Sequence, residues 1–577
     1  MWTVTHGSHH IHFMNHRCVA LFLPVFFISL AVAEAQDAPK SKSSASSTPN
    51  PTPCVSTNAS WKDFPIVRWW RGDLLDEAYK NSKAYFNELN SSISTIDDWS
   101  GRLQNYWSES GVTGNWFGIG KTMKDYGLTI SGVAKETYIG QVTPSALPQK
   151  YSKTGYSAGP LSNWLNEEKF NFIYDFGKIF DLSGLTAESD WRYRTMDGSQ
   201  TDYYTRNAAG TMGNSSMFDP QKDNSGMGPR LMGQYLQWQT DMTADPRFML
   251  KGGWMNPYED FLSQPESKFY QNNAIAAAKG IGGGIKYYQA GKTYSGQGVP
   301  WTSTYDTWGG EFRVKPSSET YLRTFAGLSI AGEGGVASTP QNVSGYNNHG
   351  MNFQGTAKFD PNSSNYGQTG VYQMNELGWI PKLGDAKLDG HYSIGSYIWG
   401  QNNGDWGSHS GNATIWGLYL QGDQRLTAVR ESAPSVPSIS RNPDTSTPTY
   451  SKTRGLYLFS ELTYTPADAC AIPFYYQIGL NYHGLFNARP TDVCGVAVGE
   501  GFYSQNMNDS LPKNQGGAAN SYASQYFSTT CVWEVFYNFQ INKWMACSPY
   551  AEYIINPAGN GSCVNAAVLG AQIGVKF

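Results

Sequence analysis

Beyond Ala35 the chain has no apolar run of about 18 residues, so it offers no helix able to cross a membrane. A bundle of transmembrane helices is thereby excluded, and strands remain the only route through a bilayer. Charge is scarce at 15% of residues and nearly cancels, to −4, which argues against a nucleic-acid partner. Histidine is scarce too: past Ala35 only His349, His391, His409 and His483 remain, and they are scattered. No C-x-x-C pair occurs, so neither a zinc site nor a redox motif is indicated. G-x-S-x-G, H-E-x-x-H and P-loop patterns are also missing. The sequence therefore nominates no catalytic residue, no metal and no cofactor.

Glycine and aromatic residues are plentiful, at 62 glycines and 14% Phe, Trp and Tyr, with 40% of the chain hydrophobic. Such a mix suits a large barrel that is apolar on one face, and equally a soluble β-rich secreted protein. Arg17 and the apolar stretch Cys18–Val32, followed by Ala33 and Ala35, read as a signal peptide over residues 1–35. Gln36 is then the first mature residue, and Met14 is an alternative start. A retained N-terminal anchor is the competing reading; the short core and the A-x-A site favour cleavage. Seven cysteines are present, and six remain once Cys18 leaves with the signal. An even set in an oxidising compartment permits disulfides without fixing their connectivity. Cys531 and Cys563 are the pair the strand pattern brings toward one rim.

Residues 36–60, rich in Ser, Pro, Thr and Ala, read as a flexible linker. Within 61–111, Leu75, Ala78, Ser82, Tyr85, Leu89 and Ile96 keep a spacing that predicts a short N-terminal periplasmic helix. It serves either as a coiled coil or as a helix that packs on, or plugs, the remainder.

From about Leu128 onward the pattern is that of strands. Ala567, Leu569, Ala571, Ile573, Val575 and Phe577 alternate with Val568, Gly570, Gln572, Gly574 and Lys576, so an apolar row opposes a small-or-polar row. Sixteen such strands are expected, beginning at 127–140, 167–180 and 183–195 and closing at 564–577. Tight connections such as Phe180–Ser183, Thr243–Asp245, Pro316–Ser318 and Asn542–Trp544 alternate with long ones around 141–166, 196–230, 257–305, 332–368 and 505–527. An even strand count and this asymmetry predict an all-β fold: a transmembrane outer-membrane β-barrel of sixteen antiparallel strands. Residues 427–454 are long on the short-turn side, as an insertion or a misplaced strand. Gly282–Gln289 has a strand pattern but is assigned to the third outer loop.

Over residues 112–577 the chain resembles the carbohydrate-selective porins of the OprB family. The resemblance rests on Thr113-Gly114-Asn115-Trp116-Phe117-Gly118, then Tyr126-Gly127-Leu128-Thr129, then Asn256, Glu259, Asp260 and Phe261. It continues through Gly455-Leu456-Tyr457-Leu458-Phe459, Gly484-Leu485 and Arg489-Pro490-Thr491-Asp492, and ends with Asn542-Lys543-Trp544 and Tyr553-Ile554-Ile555-Asn556-Pro557. It implies outer loops folded inward to narrow a pore, and passive uptake of mono- or small oligosaccharides. Its partners would be carbohydrate substrates, outer-membrane lipid and the barrel-assembly machinery, which would recognise Phe577. Monomer and homotrimer both stay open.

Strand alternation assigns the wet face independently. Glu188, Asp190, Arg192 and Arg194 share one phase with Thr186, opposite Leu185, Ala187, Ser189, Trp191 and Tyr193. Charge facing mid-bilayer lipid costs about 2–4 kcal/mol for Arg or Lys, so the charged phase faces the lumen. Lys251, Glu311, Arg313, Arg323, Glu534 and Glu552 fall on the same phase of their strands, as do Glu461, Gln477 and Asn481. For a sugar, such side chains exchange water hydrogen bonds for direct ones, and aromatic rings stack on the pyranose face. Tyr203, Tyr204, Phe218, Tyr270, Tyr287, Tyr288 and Trp301 are the loop aromatics suited to stacking; packing within the loops is the plainer role for each. A general or ion-preferring porin, an outer-membrane hydrolase at the barrel rim, and a soluble sugar-binding β-protein are the competing functions.

Overall fold

The computed structural model describes residues 76–84, 116, 119–142, 162–196, 228–240, 246–276 except 256, 258 and 259, 286–289, 292–295, 307–330, 369–404, 411–429, 451–510 except 452 and 469–471, 527–556, 559 and 565–577. The segments read from sequence as signal peptide and linker lie outside this set.

Sixteen strands make up the wall. They are β1 Leu128–Gln141, β2 Ser162–Asp175, β3 Leu185–Met196, β4 Gly228–Gln239 and β5 Phe248–Met255. Then follow β6 Thr307–Val314, β7 Thr320–Ile330, β8 Thr369–Trp379, β9 Leu388–Gly404 and β10 Gly411–Arg425. The last are β11 Gly455–Tyr464, β12 Phe474–His483, β13 Val493–Phe502, β14 Thr529–Gln540, β15 Met545–Ile555 and β16 Ala566–Lys576. Each pairs antiparallel with its neighbour, and a two-residue piece, Lys382–Leu383, joins the sheet in the β8–β9 turn. Closure comes from β1 against β16, where Val133 through Gln141 align with Lys576 through Val568. A closed sheet leaves no unpaired edge, which a bilayer demands because nothing there can satisfy a free N–H.

Alternation sorts the two faces as the sequence requires. Leu250, Leu377, Ile394, Leu420, Val535 and Leu569 point outward and are 48–56% exposed. Isolated apolar exposure is ordinary; a continuous band of it around the wall fits a lipid solvent. Outward aromatics mark its borders: Tyr138, Trp164, Trp308, Trp416, Trp533 and Tyr553 near the long-loop rim, Trp238, Phe248, Trp379 and Phe539 near the short-turn rim. Aromatic girdles at both interfaces are the outer-membrane pattern. Phe577 continues the outward row, with its ring 6.5 Å from Trp116 and 6.4 Å from Phe170, and its N–H donates to Gly132 O.

Two departures from expectation have local causes. β2 runs over 162–175 rather than 167–180, because Phe176–Phe180 turns into a short helix. Asp175 accepts from Lys178 N at 3.3 Å and Asp181 adopts the left-handed conformation at φ 62°, a cap at each end. The mixed apolar run Phe176, Ile179, Phe180 carries no signal separating that turn from a strand. Cys494, Cys531 and Cys547 are free thiols on the outward phase, so Cys531 is not in a disulfide; Cys563 lies outside the described residues.

The long stretch between β10 and β11 holds no further strand among the described residues, and its described ends lie on the short-turn rim. Its two ends are joined by Arg425, which donates to Thr427 O and Ser451 O, and by a Val429 N–Arg454 O bond. Gly282–Gln289 contributes Lys286–Gln289, which among the described residues pairs with Lys292–Ser295 as a separate hairpin between β5 and β6. Of the expected N-terminal helix, residues 76–84 are described and helical. Tyr126 donates to Glu77 Oε2 at 2.8 Å, and Asn81 Nδ2 donates to Thr122 Oγ1 at 2.6 Å, tying the helix to the segment that leads into β1.

Candidate functional site

The described part of the connection between β5 and β6 docks on the inner wall of the barrel. Its first part, from Pro257 to Ala276, leaves the end of β5 and crosses to the far wall. Gln264 Nε2 donates to Ser460 O at 2.6 Å, at β11. Glu266 Oε2 receives Asn481 Nδ2 at 2.9 Å and lies 2.9 Å from His483 Nε2, both on β12. The backbone N–H groups of Gln271 and Asn272 donate to the two oxygens of Glu534 at 2.7 and 2.8 Å, and Asn272 Nδ2 donates to Glu552 at 2.8 Å. Gln271 reaches Gln572 on β16. Carboxylates that accept two backbone N–H groups make charge-assisted bonds, about twice as strong as neutral ones. The segment is thus nailed to one half of the wall, and its own Phe261, Tyr270, Ala274 and Ile275 are fully buried.

This docking corrects three readings of the sequence. Glu534 and Glu552 have the inward phase but are 0% and 3% exposed; they hold the loop rather than face water. Tyr270 is no stacking platform, being buried with its hydroxyl on Asn481 Oδ1 at 2.8 Å and its ring 4.8 Å from Phe536. Alternation reports which face a residue occupies, not what covers that face. Tyr203, Tyr204, Phe218 and Trp301 lie outside the described residues, and Tyr287 and Tyr288 sit on the separate hairpin.

Opposite the docked loop, Lys135, Lys169, Glu188, Asp190 and Arg192 keep partial contact with solvent, while Glu167 and Arg194 are buried. On β1–β3, Lys135, Lys169 and Arg194 surround the buried Glu167, and Arg192 lies 3.6 Å from Asp190. Glu188 is half-buried on the same strand and receives Asn171 Nδ2 at 2.5 Å. Glu188 and Asp190 join Tyr235, Lys251 and Asp260 around a small cavity between β3–β5 and the root of the loop. Of the ten charged candidates, Arg194, Lys251, Glu311, Glu534 and Glu552 are buried, while Glu188, Asp190, Arg192, Arg313 and Arg323 remain partly open.

The densest arrangement lies where β5–β8 face the loop root. Lys251 Nζ is 2.7 Å from Asp260 Oδ2. Arg323 Nε is 3.4 Å from Glu311 Oε1, and its Nη1 donates to Asp260 O. Its guanidinium also lies 5.4 Å from the centre of the Phe261 ring. Burial opposes charge on Asp260, but Lys251 and Arg323 outweigh it and hold its carboxyl below the usual carboxylate value. Glu376 on β8 completes the set, accepting from Tyr321 at 2.6 Å and Tyr419 at 2.8 Å. Sequence reading did not single out Glu376, Tyr321, His391 or Tyr419 as a set. The available signal was their shared inward phase; what joins them is cross-strand register, which one strand's alternation does not contain. The arrangement sets guanidinium donors and carboxylate acceptors where the loop root meets the inner wall, with the buried Phe261 ring behind Arg323.

Residues 230–577 match the family model described as carbohydrate-selective porin, OprB family. Porin B of Pseudomonas aeruginosa is 27% identical over 236 residues, 37% of this chain and 47% of that protein, so the match spans about half the relative's length. The high-pH structure of Pseudomonas putida OprB aligns over 82% of this chain and 99% of that one, at 18% identity and a TM-score of 0.60, which is a likeness of fold. Family and fold are those of a channel rather than an enzyme, and with the girdled apolar exterior they set the protein in the outer membrane of a Gram-negative-type bacterium. The chain belongs to the carbohydrate-selective porin, OprB family.

Proposed function

We propose that the protein is an outer-membrane channel for passive, carbohydrate-selective diffusion of mono- and small oligosaccharides into the periplasm. The observation that carries this reading is the cluster of Arg313, Arg323 and Asp260, charged donors and acceptors where the loop root meets β6 and β7, with the buried Phe261 ring backing Arg323. Hydroxyls of a passing sugar exchange water for these groups at a small net gain, about 0.5–1.5 kcal/mol per bond and more with charged partners. Weak sites in series suit transport, since a single tight site would stop exit. Glu188, Asp190 and Arg192 extend the path toward β3, and Lys251 and Glu311 act from behind it.

The same reading gives the remaining segments their parts. Residues 1–35 direct export, 36–60 link, 61–111 form a periplasmic helical segment, and 112–577 build the channel. Carbohydrate is the ligand, Phe577 addresses the barrel-assembly machinery, and the unit works as a monomer or homotrimer. Planar-bilayer recordings with a panel of sugars as blockers test the function. Saturable block by sugars, absent with non-sugar polyols of equal size, supports it; the absence of any sugar block leaves a general diffusion porin.

A further inference from the structure

Arg313 on β6 and Arg323 on β7 are directly opposite each other and both inward. Residues so placed have Cβ atoms about 4.5–5.5 Å apart, and like charges there repel. Two long guanidinium chains in that position tend to splay apart. One ring meets both of them. The centre of the Tyr321 ring is 5.4 Å from the Arg313 guanidinium carbon and 5.2 Å from that of Arg323. The negative face of an aromatic ring attracts cations within about 6 Å, so a shared ring offsets the repulsion and fixes where both charges sit.

The ring is itself held on several sides. Its hydroxyl donates to Glu376 Oε1 at 2.6 Å and lies 2.7 Å from His391 Nε2. The imidazole of His391 stacks on it, with centroids 5.9 Å apart and planes 18° apart. Beneath it is Gly378, the residue opposite Tyr321 in β8. A Cβ at Gly378 would overlap Cε1 and Cζ of the tyrosine, so the ring rests on bare backbone. Tyr321 is 2% exposed and does not face the path itself.

We propose that Tyr321, seated on Gly378, is a positioning residue that sets the spacing and direction of Arg313 and Arg323 in the channel. Its consequence for sugar rests on the function proposed above; its consequence for ions does not. Full-length protein in planar bilayers gives both readouts. The reversal potential in a KCl gradient reports where the guanidinium charge lies, and current block by glucose reports the sugar contact. Tyr321→Leu should move the reversal potential toward that of an Arg313→Ala/Arg323→Ala variant and weaken glucose block by about three- to tenfold. Tyr321→Phe keeps the ring and should recover most of both. Gly378→Ala keeps the tyrosine but displaces it, and should reproduce the leucine variant. Heat-modifiable gel mobility identifies which variants form barrels. A wild-type reversal potential in both Tyr321→Leu and Gly378→Ala overturns the proposal, as does a phenylalanine variant as impaired as the leucine one. If the double arginine variant shifts the reversal potential yet leaves glucose block unchanged, the sugar reading fails while the positioning role stands.

Discussion

At Arg323 the requirements of the channel meet in one side chain. It is cationic, largely buried, hydrogen-bonded to Asp260 O, paired with Glu311 and set against two rings. An exposed arginine would sample many rotamers; here the surroundings choose one, and the charge is presented without a large entropic cost on each encounter. Removing a charge about 8 Å from a passing ion alters the ion's energy by about 0.5–2 kcal/mol at effective dielectrics of 80 to 20. Arg313→Ala and Arg192→Ala are therefore expected to shift preference toward cations, read as reversal potential. Unchanged single-channel records for both would remove these residues from the path. Asp260 gives a further test. Its carboxyl is held below the ordinary value by Lys251 and Arg323, so its charge is present at neutral pH. Asp260→Asn should therefore move the reversal potential toward anion preference at about pH 7; an unchanged reversal potential contradicts the assignment. The lumen charges were legible from alternation, because charge facing lipid is costly. Their hierarchy was not: Glu188 and Glu534 look alike in sequence, and only the docked loop makes one a wall residue and the other an anchor.

At the scale of elements, the loop between β5 and β6 behaves as part of the wall on which it lies. Glu534 alone satisfies two backbone donors of the loop, those of Gln271 and Asn272. Each buried donor left without a partner costs about 1–3 kcal/mol. Glu534→Ala should therefore lower the temperature at which the folded barrel band is lost and give larger or noisier single-channel currents. A variant with wild-type currents would show that the loop is held elsewhere. Phe577 ends the outward row of β16 between Trp116 and Phe170. Its deletion is expected to reduce the fraction of protein inserted in the outer membrane, measured by fractionation; normal insertion argues against a role in assembly. The strands themselves were legible nearly throughout, since a period of two with turn residues between is a strong pattern. The boundary of β2 was not, because the helix Phe176–Phe180 depends on caps at Asp175 and Asp181 that apolar periodicity does not report.

For the whole molecule, closure of β1 on β16 turns a long amphipathic sheet into a two-solvent object, lipid outside and water within. Sixteen strands leave an interior too wide for side chains alone to fill. The segment Pro257–Ala276 is bonded to the inner face of β11–β16, and charged groups of β1–β3 and β6–β7 stand on the rest of the wall. Selectivity then depends on a narrowed, chemically lined passage rather than on the barrel as such. Liposome-swelling rates for monosaccharides, disaccharides and non-sugar solutes of matched size test this most directly. The account predicts that sugars enter faster than neutral solutes of equal size; a single size-dependent curve on which sugars and non-sugars fall together would contradict it.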